Sequence, residues 1–444
     1  MPNIDTIVAI STAAGRGGVG IVRVSGTKAA SIAHQFLGKA PIPRHAHFAD
    51  FPDENGQSID QGIILFFVAP HSYTGEDVLE LQGHGGVAVL QLILRRCISL
   101  GARLAEPGEF TRRAYLNNKI DLAQAEAVAD LIDATTAQAA RSAMRSLHGE
   151  FSSVVQTLVF ELTNLRMLVE TMLDFPEDGI EDFGALRITD QLHIIQTKLR
   201  QTLDVAKQGG LLRDGVRVAL VGPPNVGKSS LLNRLSGEVV ALVSEIPGTT
   251  RDVIHKEIQI EGVPFYIMDT AGLRDSEDVI ERMGIALTYQ TAQQADLVLV
   301  LRAAHQLTDS IEQVQTDFLP PNTPRLQVFN KVDLLPEDKI NGNLSGGVAV
   351  SAKTGEGIPK LRQKLLEMIG YDNLESGVFM ARERHIFALS QAESSLLHAK
   401  NVIDWPELLA EELRLAQVAL SSITGEFTAD DLLGEIFGRF CIGK

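Results

Sequence analysis

One stretch, Gly222-Pro223-Pro224-Asn225-Val226-Gly227-Lys228-Ser229, constrains this chain more than any other, and it fits the pattern G-x-x-x-x-G-K-[ST]. The β-branched, apolar run Val216 to Val221 precedes it and reads as a buried strand. Ser230-Leu231-Leu232-Asn233-Arg234-Leu235 follows it as an opening helix. A phosphate-binding loop needs that context. Glycines let the backbone wrap an anion, amides at the helix N-terminus point inward, and Lys228 supplies positive charge. The Ser229 hydroxyl completes the shell of a Mg2+ ion held mainly by phosphates and water.

Three further motifs follow in order. Asp269-Thr270-Ala271-Gly272 closes the apolar run Val263 to Met268 and brings a carboxylate towards the Mg2+ shell. Asn330-Lys331-Val332-Asp333 closes Leu326 to Phe329, and Ser351-Ala352-Lys353 closes Gly347 to Val350. Each sits at the C-terminal tip of a predicted strand, where open α/β sheets bind ligands. The series specifies a GTP-binding domain. Asp333 accepts hydrogen bonds from the guanine ring N–H and its exocyclic amine. Adenine offers neither, and a site built on such pairing rejects the wrong base by roughly 10^4.

The chain has 444 residues, 45% hydrophobic and 22% charged, which allows two to four soluble domains. No apolar run is long enough to cross a bilayer, and Met1-Pro2-Asn3-Ile4-Asp5 lacks the basic opening of a signal peptide. Cys97 and Cys441 are the only cysteines, so neither a disulfide framework nor a zinc cluster is in view, and a cytoplasmic location is expected. The net charge of −16 disfavours gripping nucleic acid through phosphates alone. If RNA is the target, a basic partner contributes much of the grip, beside local patches such as Arg95-Arg96 or Arg112-Arg113.

Residues 1–118 read as a mixed α/β domain with strands at Ile7 to Ile10, Gly20 to Val24, Ile63 to Val68 and Asp77 to Leu81, and a helix at Val87 to Leu100. The glycines at 15–20 lack a following G-K-[ST] and read as a tight hairpin; Gly83-His84-Gly85-Gly86 reads as a turn. From 119 to 210 the pattern is helical. Phe151, Val154, Val155, Leu158, Leu162, Leu165, Leu168, Val169 and Met172 mark one long amphipathic helix, and Ile188 to Leu203 a second. The acids Glu177, Asp178, Glu181 and Asp182 between them read as a solvated loop, and Gly209-Gly210 as a hinge. The GTP-binding domain spans 211–372. Residues 373–444 are helical again, with helices at Arg382 to Lys400, Pro406 to Ser422 and Ala429 to Phe440. The expected fold class is therefore α/β and α multidomain: an N-terminal α/β domain, a discontinuous helical domain, and a Ras-like P-loop GTPase domain inserted in it.

Ser244-Glu245-Ile246-Pro247-Gly248-Thr249-Thr250-Arg251-Asp252 lies where a GTPase puts its first switch, with Thr250, or alternatively Thr249, sensing γ-phosphate and Mg2+. Leu273 stands where signalling GTPases carry a Gln that orients the attacking water. Something else must position water and supply the charge of an arginine finger, which is worth roughly 10^3–10^5 in rate.

The phosphate loop, Gly248-Thr249-Thr250-Arg251-Asp252, Asp269-Thr270-Ala271-Gly272-Leu273-Arg274, the box Asn118-Lys119-Ile120-Asp121-Leu122-Ala123-Gln124-Ala125-Glu126-Ala127 and the terminus Cys441-Ile442-Gly443-Lys444 together resemble the MnmE (TrmE) family of tRNA-modification GTPases over the whole chain. The resemblance implies a homodimer whose G domains pair across the nucleotides, with K+ in place of an arginine finger. The matching K+ ligands are Asn225, Ser244, Ile246 and Thr249, those for Mg2+ are Ser229 and Thr250, and Glu281 matches the water-positioning residue. The phosphate-loop residues through Ser230 and the whole switch from Ser244 to Thr250 contact nucleotide. The N-terminal domain resembles folate-binding modules and implies a 5-formyltetrahydrofolate site at Arg23, Glu80, Lys119 and Lys444. Cys441 is a candidate reactive thiol. The implied function is modification of C5 of wobble uridines in tRNA, in a heterotetramer with the flavoprotein MnmG. A ribosome-assembly GTPase acting as an RNA scaffold is the alternative, but that family carries a basic KH-type module after its G domain, where this chain has Glu407-Leu408-Leu409-Ala410-Glu411-Glu412-Leu413.

Overall fold

The computed structural model describes residues 5–174, 181–223, 225–237, 255–269, 293, 295–306, 323–336, 346–372, 377–426, 430–438 and 440–443. For 181–186, 255, 269, 306, 430–432 and 435 it describes the backbone alone. The chain forms two compact units: Met1–Ala129 with Ser146–Lys198 and Ala388–Lys444, and Asp130–Arg145 with Leu199–Phe387.

The first unit begins with a sheet built from β1 (Ile7–Ile10), β2 (Gly17–Ser25), β3 (His47–Pro52), β4 (Ser58–Phe67), β5 (Val78–Gly85) and β6 (Arg103–Leu104) in the order β3-β4-β5-β2-β1-β6. Every pairing is antiparallel except β1 with β6. Alternation sends Val8, Val22, Val24, Leu79 and Leu81 to one face, where they pack with α1 (Ala29–Leu37) and α2 (Val87–Ser99). The other face carries Ala9, Arg23 and Glu80 in register, with Phe110 of α3 (Glu109–Leu116) packed on Ile7 and Ala9.

β1 and β2 pair antiparallel, but the tight hairpin expected from the glycines at 15–20 does not form: the innermost pair is Ile10 with Val22, and Gly17, Gly18 and Gly20 lie within β2, where Gly17 and Gly20 pair with β5. Nor does the turn expected at Gly83-His84-Gly85-Gly86: β5 runs through Gly85, and Gly86 caps α2. These glycines answer to close packing. A Cβ at Gly83 would lie 2.4 Å from Asp60 Oδ2, and one at Gly85 would lie 2.6 Å from the Gly17 carbonyl oxygen.

Helices α4 (Leu122–Asp133) and α5 (Ala137–Leu147) lead to α6 (Glu150–Asp174) and α7 (Glu181–Asp214). The long helix α6 buries Phe151, Val155, Leu158, Leu162, Leu165 and Val169. It packs on the Leu409, Leu413, Ala416, Leu420 stripe of α11 (Pro406–Thr424). Gly209-Gly210 is no hinge but lies inside α7, and Gly209 answers to close packing: a Cβ there would meet the Phe379 carbonyl oxygen at 2.0 Å.

The GTP-binding fold orders β12 (Gly347–Ala349), β11 (Arg325–Asn330), β10 (Leu297–Ala303), β7 (Val216–Val221), β9 (Val263–Asp269) and β8 (His255–Ile260) into one sheet. All pairings are parallel save that of β8 with β9. The central strands read as continuous apolar runs because helices, α8 (Lys228–Ser236) and α9 (Ile358–Met368) among them, cover a parallel sheet. Val218, Leu220, Leu299, Leu301 and Val328 fill one core with Leu231, Leu235, Leu361 and Leu365. Two helices follow this fold in the chain, α10 (Glu383–Asn401) and α11, before α12 (Asp430–Gly438). Among the described residues no helix is long and apolar enough to cross a membrane.

Candidate nucleotide site and N-terminal site

The loop joining β7 to α8 has the backbone that its glycines permit. Gly227, the residue before the helix, has φ of +97°, and Asn225 has φ of +62°. A Cβ at Gly227 would sit 2.3 Å from the Asn330 side-chain nitrogen, so this glycine is required by proximity as well as by conformation. The Lys228 ammonium donates to the Gly222 carbonyl at 2.7 Å and to that of Pro223 at 3.3 Å. It therefore lies over the loop that α8 closes, where an anion at the helix N-terminus would be met.

Asn330, at the tip of β11, ties three segments together. Its Nδ2 donates to the Val226 carbonyl at 2.9 Å, and its Oδ1 accepts the Ala352 N–H at 3.0 Å. The residue is buried, so both bonds form out of water. Beside it, Lys331 adopts φ of +66° and donates to the Asn225 carbonyl at 2.6 Å. Ser351 donates to Asp333 Oδ1 at 2.7 Å and accepts the Thr354 N–H at 3.1 Å. The hydroxyl thus orients a carboxylate that is exposed at the sheet edge.

Sequence reasoning missed Arg234. From α8 it donates to the Ala352 carbonyl at 3.0 Å and also to that of Lys353, bracing the loop from below. Nothing in its local sequence marks it, because the contact is made across 118 residues. Ser230, Ala352 and Lys353 line one cavity of about 490 Å3 with Asn233, Arg234 and Gly237. Ser244, Glu245, Ile246, Pro247, Gly248, Thr249, Thr250, Thr270, Ala271, Gly272, Glu281 and Lys444 lie outside the described residues, as do Glu177 and Asp178, and Asp269 is described by its backbone. Among the described residues no three His, Cys, Asp or Glu side chains cluster as metal ligands.

Comparison with known proteins extends this picture. A family model described as the MnmE helical domain matches residues 122–441, and one described as the GTP-binding protein TrmE N-terminus matches residues 6–119. Proteins named tRNA modification GTPase MnmE from Nitrosomonas eutropha and Nitrosomonas europaea are 55% and 57% identical, each comparison covering 100% of both chains. The chain belongs to the MnmE family. With the phosphate and guanine loops in place, this family membership makes it a GTP hydrolase of the tRNA-modification class. A solved structure of Era with MgGDPNP and a fragment of 16S ribosomal RNA is 27% identical over 40% of this chain and 66% of that one, with a TM-score of 0.29, too partial to add to the assignment.

In this MnmE-family chain two of the N-terminal candidates, Arg23 and Glu80, are brought together. Arg23 and Glu80 face each other across β2 and β5, with Arg23 Nε and Nη2 donating to Glu80 Oε1 at 3.0 and 2.9 Å. The guanidinium carbon lies 5.4 Å from the Tyr73 ring centre and 5.9 Å from that of Phe110, giving the ion pair an aromatic wall. Burial raises the Tyr73 phenol above its usual range, opposed by its hydrogen bond with Thr111 and by the Arg23 charge. Lys119 donates to the Pro70 carbonyl at 3.0 Å, just after Asn118 at φ of +53°.

The C-terminal tail of the MnmE-family chain docks on the same sheet. Pro107 and Ile442 form a β-bridge, and the Gly108 N–H donates to the Cys441 carbonyl at 3.4 Å. A Cβ at Gly443 would fall 2.2 Å from the Ile10 carbonyl oxygen, so only glycine fits there. Phe437 of α12 anchors the approach among Leu122, Ala125 and Phe440. Cys441 is exposed, whereas Cys97 is buried in the sheet core.

Proposed function

We propose that this GTPase is potassium-stimulated, works as a homodimer, and acts with the flavoprotein MnmG to add an aminomethyl or carboxymethylaminomethyl group to C5 of the wobble uridine in certain tRNAs. The observation that carries the reading is the full-length match, over 100% of both chains, to proteins named tRNA modification GTPase MnmE. The ribosome-assembly alternative expects a KH module after the G domain; this chain has the helices α10, α11 and α12 there.

The described residues are compatible with the bound groups this function needs. Lys331 takes the Asn225 carbonyl, and the exposed Asn225 side chain stands at the loop rim as an oxygen donor of the hard type that alkali cations accept. With Ser244, Ile246 and Thr249 it would hold K+, which supplies the charge of an arginine finger when bound. Ser229 and Thr250 would ligate Mg2+, and Glu281 would position water. The segments 1–118, 119–210, 211–372 and 373–444 would serve as dimerisation and folate-binding domain, helical domain, G domain and second helical part. The half-buried Arg23–Glu80 pair against Tyr73 suits a flat heteroaromatic ring with N–H donors, with Lys119 and Lys444 suited to carboxylates and the folate supplying one carbon when bound. Cys441 would bring its thiol to that domain. A chain of −16 would leave much of the tRNA grip to its partner, in the cytoplasm.

Nucleoside analysis of tRNA from a deletion strain tests this. Wobble uridines lacking the C5 group, restored by the gene, are expected; full modification without the gene would refute it.

A further inference from the structure

The turn between β8 and β9 is seated on a helix. The Gly262 carbonyl accepts a buried hydrogen bond of 2.8 Å from the Thr136 hydroxyl. The Thr136 hydroxyl oxygen in turn accepts the Ala139 N–H at 3.0 Å, so Thr136 caps the first turn of α5 while it holds the strand turn. Gly262 has φ of +84°, and a Cβ there would come within 2.6 Å of the Gln138 Cβ. Asp130 near the end of α4 receives Arg382 at 2.7 Å and Arg213 at 3.1 Å. All of these groups belong to one compact unit, in which Asp130–Arg145 clusters with the GTP-binding fold although it is distant in sequence.

The two strands concerned are those that frame the nucleotide-sensing motifs. In the chain, β8 follows Ser244 to Asp252, and β9 ends at Asp269. The strands pair without a break from His255↔Met268 to Ile260↔Val263, and β9 pairs with β7, which runs into the phosphate loop. A ribbon so paired moves as a body, because packed elements shift between discrete arrangements rather than deform. From α5 the chain passes directly into the long helix α6.

We propose that Thr136 is a positioning residue whose contact with Gly262 passes nucleotide-dependent movement of the β8–β9 ribbon to helix α5, coupling GTP hydrolysis to tRNA modification. This rests on the tRNA-modification reading above. A merely structural brace would lower both activities together; a coupling contact separates them.

Thr136→Val keeps the shape and removes the hydroxyl, and Thr136→Ser restores it. Gly262→Ala forces helix and turn apart without deleting a polar group. GTP turnover and GDP affinity are measured on the full-length protein, and wobble-uridine modification in cells carrying each variant as the sole copy. Thr136→Val and Gly262→Ala are expected to keep GTP turnover within about twofold while modification falls at least about tenfold, with Thr136→Ser close to wild type in both. Proportional loss of both activities, or undiminished modification in both variants, would overturn the proposal. If Thr136→Val fails to bind GDP, Gly262→Ala decides. Absence of modification by the wild-type protein would instead overturn the function on which it rests.

Discussion

Replacing Asn330 by Ala removes a single buried side chain and, with it, the buried link between the phosphate loop and the guanine loop, leaving the Lys331 bond to the Asn225 carbonyl. Two bonds are lost, to the Val226 carbonyl at 2.9 Å and from the Ala352 N–H at 3.0 Å. Stripping a buried polar group of its partner costs about 1–3 kcal/mol, so the pair amounts to about 2–6 kcal/mol, with water recovering part of it. If about 1.4–2.8 kcal/mol of this falls on ordering the two loops around nucleotide, affinity drops ten- to a hundredfold. Asn330→Asp sharpens the test, since it keeps the volume but turns an acceptor towards the Val226 carbonyl, and should be at least as damaging. Titration with a fluorescent GDP analogue, beside thermal unfolding of the same proteins, reads both quantities. An alanine variant with wild-type GDP affinity and an unshifted melting temperature would refute the bridging role. So would an aspartate variant that behaves like wild type.

Asp333→Asn should shift base preference from guanine towards xanthine nucleotides, checked by competition between GTP and XTP; unchanged GTP selectivity would remove Asp333 from the base site. Burial alone would raise the Glu109 carboxyl, but hydrogen bonds from Arg103, the Glu106 N–H and Arg113 outweigh it and bring it down to about 2. A folded pKa below the ordinary 4.5 stabilises the fold above that pH and ceases to do so as pH falls towards 2. Glu109→Gln should therefore cost up to about 3 kcal/mol at pH 7, narrowing as pH drops below about 4.5, and a denaturant-measured cost that does not change with pH would contradict this. Burial pushes the Cys97 thiol up to about 12, so alkylation of the native protein should label Cys441 alone. Comparable labelling of Cys97 in the folded state would contradict the buried placement.

The phosphate and guanine motifs were legible because ligand chemistry fixes their residue types and because each follows an apolar strand. Their strands duly appear at Val216–Val221, Arg325–Asn330 and Gly347–Ala349. The glycines misled wherever distant packing, not local flexibility, demanded them. Gly83 and Gly85 continue a strand, and Gly209 sits within a helix, each pressed against backbone or side-chain atoms from elsewhere in the fold. The link from Asn330 to Val226 spans 104 residues and that from Thr136 to Gly262 spans 126, so no local window carries either. Val154 falls within the apolar spacing of α6 yet is 37% exposed, because i, i+3/i+4 spacing marks a stripe without fixing its edge.

The most direct measurement is the steady-state GTPase rate of the full-length protein in KCl against NaCl at equal ionic strength. A cation held at Asn225 and the first switch in place of an arginine finger predicts a much faster rate in KCl. Equal rates in the two salts would contradict it.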